Sequence, residues 1–321
     1  MHGRRPGMLM ITILLFGASS ALKAQTPHVV GATPPPQTVS APPNSDILLT
    51  FDTPLDPLTV SDTTVRVYGR WSGPSSGALT LENANTQVRF NPDEDFFYGE
   101  WITVALSKSV KSATGQPLAS GYYSNFWTWT LKGTLDLEET GRVPVRLNGE
   151  GQVQTYGAYA GDFDDDGWSD LAVPNEISAD MRVFHNDGAG DYGPFTIYDM
   201  PGSSSPSANE GADFDRDGAI DIAIGSGGNN QLTVFFGDGL GGFLASTNYT
   251  AGSSVRGVAV LDMDADGLDD IITANRNAST LTWFRNNGDR TFAGAVTIDP
   301  GGFGETACAA ADANNDGIAD L

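Results

Sequence analysis

The sequence predicts an all-β protein in two parts, a β-sandwich followed by a row of four-stranded units. Three observations carry this. Apolar residues come in short alternating runs, with no sustained helical period. Gly and Pro, 39 and 18 of the 321 residues, punctuate those runs as turn formers do. From about residue 151 onward, one nine-residue phrase recurs at a spacing near 50 residues, which marks a repeat architecture.

Residues 1–24 read as a secretory signal peptide. Arg4 and Arg5 supply the charged start, Met8 to Phe16 the apolar stretch, and Ala24 closes a small-residue segment. The apolar run is too short to span a bilayer, so no membrane insertion is expected after its removal. The formal charge of the whole chain is −23, and losing Arg4, Arg5 and Lys23 takes it to −26. Such a surface disfavours nucleic acid and anionic membrane as partners. Cys308 is the single cysteine, so no disulfide can form within the chain.

Residues 25–131 form the first part. The segment 25–45, rich in Pro and Thr, is expected to be extended. Alternating runs then follow at Ile47, Leu49 and Phe51, at Val65 and Val67, at Leu79 and Leu81, at Val88 and Phe90, and at Ile102, Val104 and Leu106. The run Phe126-Trp-Thr-Trp-Thr130 closes the set. Roughly seven strands in about 100 residues, separated by Gly, Pro and Asp turns, predict an immunoglobulin-like sandwich.

This stretch resembles the bacterial Ig-like domain of the SbsA type. The residues that carry the resemblance are Ile47 to Asp56, Val65-Arg-Val67, Phe90-Asn-Pro92, Gly99 to Val104, Gly115 to Leu118 and Phe126 to Thr130. The resemblance implies a spacer or presentation module without chemistry of its own. One motif points elsewhere: Gly73-Pro-Ser75-Ser-Gly77 fits the nucleophile-elbow pattern of hydrolases. That motif needs a helix after it and a His base elsewhere. The residues that follow, Ala78 to Leu81, read as a strand, so a loop is expected.

Residues 132–150 are read as a linker, with Val143 to Leu147 available as a strand for the first repeat unit. Residues 151–321 hold three units and the opening of a fourth. The phrase is Asp162-Phe-Asp164-Asp-Asp166-Gly-Trp-Ser-Asp170, and its copies begin at Asp213, Asp262 and Asp312, spaced 51, 49 and 50 residues apart. The four copies hold 17 of the 40 acidic residues. Oxygen donors at positions 1, 3 and 5 suit a hard cation such as calcium. Gly at position 6 permits the sharp turn that returns position 7's carbonyl and position 9's carboxylate to the ion. Without a cation, carboxylates so close together repel one another. A mere acidic turn is the plainer reading, and fourfold recurrence in register counts against it. An EF-hand would need Glu at position 12, where the complete copies have Val173, Ile224 and Thr273.

Each unit follows one plan. A strand of small residues enters the loop, as in Ala158 to Gly161 or Val258 to Leu261, and a short apolar strand leaves it. A third strand follows at Met181 to Phe184, Leu232 to Phe236 or Leu281 to Phe284. Next comes a tight turn at Asn186-Asp-Gly188, Gly237-Asp-Gly239 or Asn286-Asn-Gly288. The fourth strand is expected to carry Phe195, Phe243 or Phe292 near its start. Four antiparallel strands per unit of this length predict a β-propeller blade, so the second part is read as a partial propeller.

The loops, the small-residue strands before them and the turns after them resemble FG-GAP (VCBS-type) repeats. The resemblance implies one calcium ion per loop, up to four. Its ligands would be Asp162, Asp164, Asp166 and Asp170; Asp213, Asp215, Asp217 and Asp221; Asp262, Asp264, Asp266 and Asp270; and Asp312, Asn314, Asp316 and Asp320. The carbonyls of Trp168, Ala219, Leu268 and Ile318 would complete each set. Propellers of this family close with about seven blades, so a fragment completed by a further C-terminal part is expected.

Function is expected to be that of a secreted or cell-surface calcium-binding adhesion module, non-catalytic, whose partner is an extracellular protein or glycan. The alternatives are an accessory or catalytic part of a polysaccharide-degrading enzyme, with Glu176, Glu210 and Asp299 as unpaired candidates, and a structural spacer.

Overall fold

The computed structural model describes residues 24–133 and 142–321. The signal-peptide reading over 1–24 therefore lies almost wholly outside the described residues, as does the middle of the linker reading. Among the described residues no helix is long and apolar enough to cross a membrane. Apart from one 3-10 turn at Pro57–Thr59, the regular structure of the described residues is all β, in five four-stranded sheets.

Eight strands build the N-terminal sandwich. They are β1 (Val29–Thr33), β2 (Ile47–Phe51), β3 (Val65–Gly69), β4 (Gly73–Pro74), β5 (Gly77–Glu82), β6 (Gln87–Pro92), β7 (Trp101–Leu106) and β8 (Tyr122–Trp127). One sheet runs β1-β2-β6-β5 and the other β4-β3-β7-β8. Alternation places Ile47, Leu49 and Phe51 of β2 inward, opposite Ile102, Val104 and Leu106 of β7, in one core. The elbow-like Ser75 lies between β4 and β5, and a strand follows it where a nucleophile elbow needs a helix.

Twelve further strands form three sheets. The first holds β9 (Tyr159–Gly161), β10 (Asp170–Asn175), β11 (Asp180–Phe184) and β12 (Thr196–Asp199). The second holds β13 (Pro206–Ala212), β14 (Asp221–Ser226), β15 (Gln231–Phe235) and β16 (Thr247–Thr250). The third holds β17 (Val255–Leu261), β18 (Asp270–Asn275), β19 (Thr280–Phe284) and β20 (Val296–Ile298). Every sheet is antiparallel with strands in sequence order.

The second strand of each unit is buried on both faces, which explains its continuous apolar run. Ile222 and Ile224 of β14 face Met181 and Val183 of the first sheet. Ala223, between them, belongs instead to the cluster shared with Val258 and Ile271 of the third. The sheets thus stack through two interleaved cores. Small residues on the entering strands keep neighbours close: a Cβ on Gly211 would sit 2.4 Å from the Tyr159 ring.

Three expectations differ from the structure. The phenylalanines expected on the fourth strands stand before them: Phe195 directly precedes β12, and Phe243 and Phe292 lie in isolated bridges ahead of β16 and β20. Val143 to Leu147 form no strand. The carbonyl of Val145 instead accepts from Arg182 Nη1 at 2.6 Å, and Glu150 pairs with the same guanidinium, which is wholly buried. The first unit's counterpart of Phe243 and Phe292 is Tyr192 and not Phe195, because the bridges following the turns are Asn186↔Tyr192, Gly237↔Phe243 and Asn286↔Phe292. Phe195 packs on Phe184 and under Arg182.

The sandwich is seated on the repeats at the loop end of their sheets. Arg66 of β3 forks onto Asp269, with N–O distances of 2.7 and 2.8 Å, and Arg70 pairs with Glu210 at 2.7 Å. Tyr159 donates to the Arg70 carbonyl at 2.7 Å. The side chains of Arg66 and Asp269 are 17% and 18% exposed, so each leaves the other stranded if removed. Arg66→Ala should cost about 2–4 kcal/mol, below the fully buried range because some solvent reaches the pair. Urea unfolding of the whole chain tests this, and a loss under about 1 kcal/mol would mark a mere surface pair.

Candidate metal centre

The four copies of the phrase fold alike. The position-1 carboxylate accepts from the backbone N–H groups of positions 5 and 6: Asp162 at 3.1 and 2.8 Å, Asp213 at 3.1 and 3.2 Å, Asp262 at 3.0 and 2.7 Å, Asp312 at 3.0 and 2.8 Å. The position-5 carboxylate accepts from the N–H of position 7, where Trp168, Ala219, Leu268 and Ile318 stand, at 2.9–3.0 Å. Gly at position 6 is left-handed in each, with φ from +81° to +99°. Position 4 is left-handed too, although it carries Asp165, Arg216, Ala265 and Asn315 (φ +57° to +62°). Sequence reasoning missed that conformation because no glycine marks it.

Position 9 opens the second strand and is fully buried in the first three units. Both oxygens of Asp221 accept backbone N–H groups, from Phe214 at 2.7 Å and from Gly237 at 2.8 Å. Asp170 does the same with Phe163 and Asn186, and Asp270 with Met263 and Asn286. Position 9 therefore ties the loop to the turn after the third strand. The Trp283 indole N–H adds a further bond to Asp270 at 2.9 Å.

Carboxylates converge in three of the loops. Among the described residues, acidic groups with ligand atoms within 4.8 Å of one another are Asp162–Asp164–Asp166, Asp213–Asp215–Asp221 and Asp262–Asp264–Asp270, and His185 joins Asp164 and Asp170. The fourth loop, Asp312, Asn314, Asp316 and Asp320, contributes no such cluster. Asp164 Oδ1 is buried with no partner, an acceptor aimed at nothing the chain supplies. An all-oxygen donor set with one orphaned acceptor fits a hard divalent cation.

Burial strains these carboxylates. It pushes Asp162, Asp213 and Asp262 up to about 6, Asp270 to about 7 and Asp221 to about 8, with neighbouring carboxylates adding to the rise in each.

Basic side chains answer some of this charge. Arg285 bonds Asp264 at 2.5 Å and Asp266 at 2.7 Å. Arg290, from the turn of the third unit, reaches back to Asp215 and, at 3.0 Å, Asp217 of the second. His185 Nδ1 lies 3.1 Å from Asp170. His185 and Arg285 both stand 15 residues after their unit's position 9, a fixed offset that the sequence displays. In the second unit that place holds Phe236, and the Arg290 guanidinium sits 5.9 Å from its ring centroid.

The loops also carry the seat of the sandwich. Asp162 N–H donates to the Trp71 carbonyl at 2.8 Å, and Arg216 to that of Thr63 at 2.9 Å. Lys108 N–H donates to the Ala265 carbonyl at 2.9 Å, and Tyr123 N–H to that of Gly317 at 2.7 Å. Each of the four loops thus bonds the N-terminal part. The three acids raised as catalytic candidates do not converge: Glu176 bonds Gln154 and Arg256, Glu210 bonds Arg70, and Asp299 caps Gly301.

With this geometry in hand, known families can be compared. The bacterial Ig-like domain family matches residues 23–130. The FG-GAP-like repeat family matches residues 162–224, 213–273 and 262–321, each match opening on position 1 of a loop. The chain is an FG-GAP repeat protein with an N-terminal bacterial Ig-like domain. No curated protein matches it. Among solved structures, the N-terminal part of the bacterial S-layer protein SbsC aligns at 13% identity and a TM-score of 0.26, over 71% of this chain and 44% of that one. An Agrocybe aegerita lectin that recognises non-reducing terminal N-acetylglucosamine aligns at 18% identity and 0.43, over 80% and 69%. Domains MG0-NIE-MG1 of Escherichia coli alpha-2-macroglobulin align at 13% and 0.27, over 86% and 97%. The FG-GAP protein spans less than half of the SbsC chain.

The raised carboxylates set a pH dependence whose sign follows from linkage. A folded-state value above the unfolded one means the native state holds the extra protons, so stability falls as pH rises between the two. In a chelator, stability should therefore decline from about pH 4 to about pH 8, the value reached by Asp221. Thermal melts across that window, with and without calcium, check it. Saturating calcium should flatten the decline.

Proposed function

We propose that this FG-GAP protein is a secreted or cell-surface, calcium-stabilised binding module without catalysis of its own. In this reading the three sheets are successive blades of a propeller-like array, and one calcium ion is held per loop. The observation that carries it is the fourfold identity of the loops, with carboxylates converging in three of them and the orphaned Asp164 oxygen. The ion would neutralise carboxylates that burial and mutual repulsion otherwise strain. The metal is thereby a scaffold element, and recognition falls to other surfaces.

The end of the sheets away from the sandwich is the surface offered. The turns at 175–180, 226–231 and 275–280 lie there, because each follows its second strand away from the loop. Backbone bonds knit that end together: Gly228 N–H to the Ser204 carbonyl at 2.8 Å, Arg276 N–H to Ser254 at 2.9 Å, Asn277 N–H to Ser253 at 3.1 Å. Its Asn, Ser and Gly residues offer preorganised hydrogen-bonding groups suited to a polar partner, a glycan or the surface of an extracellular protein.

Two measurements test this reading. At calcium ten times Kd, each site should add about RT ln 11, or roughly 1.4 kcal/mol, to stability. A melting temperature indifferent to chelation would sink the structural role of the metal. An array of glycans and extracellular proteins, followed by product analysis, separates a binder from an enzyme: ligand retained and released unchanged is expected, whereas cleavage products would require the catalytic alternative.

A further inference from the structure

We propose that Arg285 and Arg290 are built-in counter-ions of the acidic loops, which a cation must displace to load the second and third repeats. The inference rests on the metal-binding reading above. Both guanidiniums fork onto the same two loop positions, 3 and 5. Arg285 takes Asp264 Oδ2 and Asp266 Oδ2, and Arg290 takes Asp215 Oδ2 and Asp217 Oδ2. These are donors that a divalent ion in the loop would claim, and a carboxylate oxygen facing a guanidinium at this distance has little room for both.

The two arginines reach this arrangement by different routes. Arg285 comes from its own unit, at the offset of 15 residues after position 9. In the second unit the offset holds Phe236, an apolar side chain packed in the core between the sheets. Arg290 reaches over that ring from the neighbouring unit and lands on the equivalent pair of carboxylates. The same outcome built from non-equivalent positions argues that the loop's charge selects the contact. In the first unit the offset holds His185, whose nitrogen lies near Asp164 and Asp170, positions 3 and 9, and does not span positions 3 and 5.

The consequence is an exchange. Arg285 and Arg290 are 47% and 46% exposed, so each guanidinium can swing into water on a flexible stem when the ion arrives. The metal-free loop keeps part of its charge cancelled and holds its shape, and the ion's apparent affinity falls by the fraction of time the loop is locked. By reciprocity, whatever stabilises the metal-free loop weakens the loaded one relative to it. The second and third sites should accordingly fill at higher calcium than their carboxylates alone would dictate, and without unfolding between states.

The test uses the full chain, stripped by chelator and titrated with calcium by calorimetry, in native form and as Arg285→Ala, Arg290→Ala and the double variant. Arg285→Lys and Arg290→Lys serve as conservative partners, since an ammonium keeps the charge but cannot fork. Removal of each guanidinium should tighten calcium binding at one site on the order of tenfold, with the Lys forms in between. In parallel melts the metal-free variant should lose stability while the calcium-loaded one keeps it. Equal affinity in native and Ala forms, weaker binding in the Ala forms, or equal loss of stability in both states would overturn the proposal and leave the metal sites standing. No calcium binding by any form would overturn the reading of the loops themselves.

Discussion

Three aspartates at position 9, Asp170, Asp221 and Asp270, hold the repeats together. A carboxylate moved out of water costs several kcal/mol unless its oxygens are bonded. Asp221 meets that demand with two backbone N–H groups from segments 23 residues apart in sequence, Phe214 and Gly237. The bonds fix where the second strand begins, where the loop must end and where the next turn must sit. Asp170 and Asp270 repeat the arrangement. Because each also contributes to a carboxylate cluster, the fastening of a unit and its capacity for a cation are the same feature.

That coupling explains why the loops are so uniform while the rest of a unit varies. Position 1 has both its oxygens engaged by loop N–H groups, and position 5 binds the N–H of position 7, so the loop's course is set by its own side chains. What the loop cannot supply itself is positive charge. The chain supplies some through Arg285 and Arg290, and the docked sandwich brings Lys108, whose ammonium bonds the Asp264 carbonyl. Such neighbours offset part of the repulsion among the loop carboxylates.

The parts legible in sequence were those encoded locally. Alternation gave the sandwich strands, and the Asp spacing gave the loops, because a turn places residues one, three and five apart on one side whatever surrounds them. The glycine at position 6 was readable for the same reason, since Gly218 at φ +93° occupies backbone space that other residues rarely enter. Position 4 was not, because Arg216 and Ala265 adopt a left-handed φ that their residue types do not announce. The Arg66–Asp269 pair joins residues 203 apart, and no pattern in either neighbourhood announces the other. His185 and Arg285 stand between the two cases: their offset recurs, but Phe236 interrupts it, and the compensating Arg290 belongs to another unit.

Seating the sandwich on the loops changes what the N-terminal part can be. A spacer needs only its two ends, whereas this sandwich uses Thr63, Arg66, Trp71, Lys108 and Tyr123, all on or beside the strands of its β4-β3-β7-β8 sheet, to reach four loops. Several of those contacts are to backbone groups of the loops, so they depend on loop shape and are indifferent to loop side chains. Any ion that holds the loops in shape would then also hold the sandwich in place, and the two parts would share one orientation. Since that seat occupies the loop end of the sheets, the end it leaves uncovered is the opposite one, where the short turns of neighbouring units lie side by side.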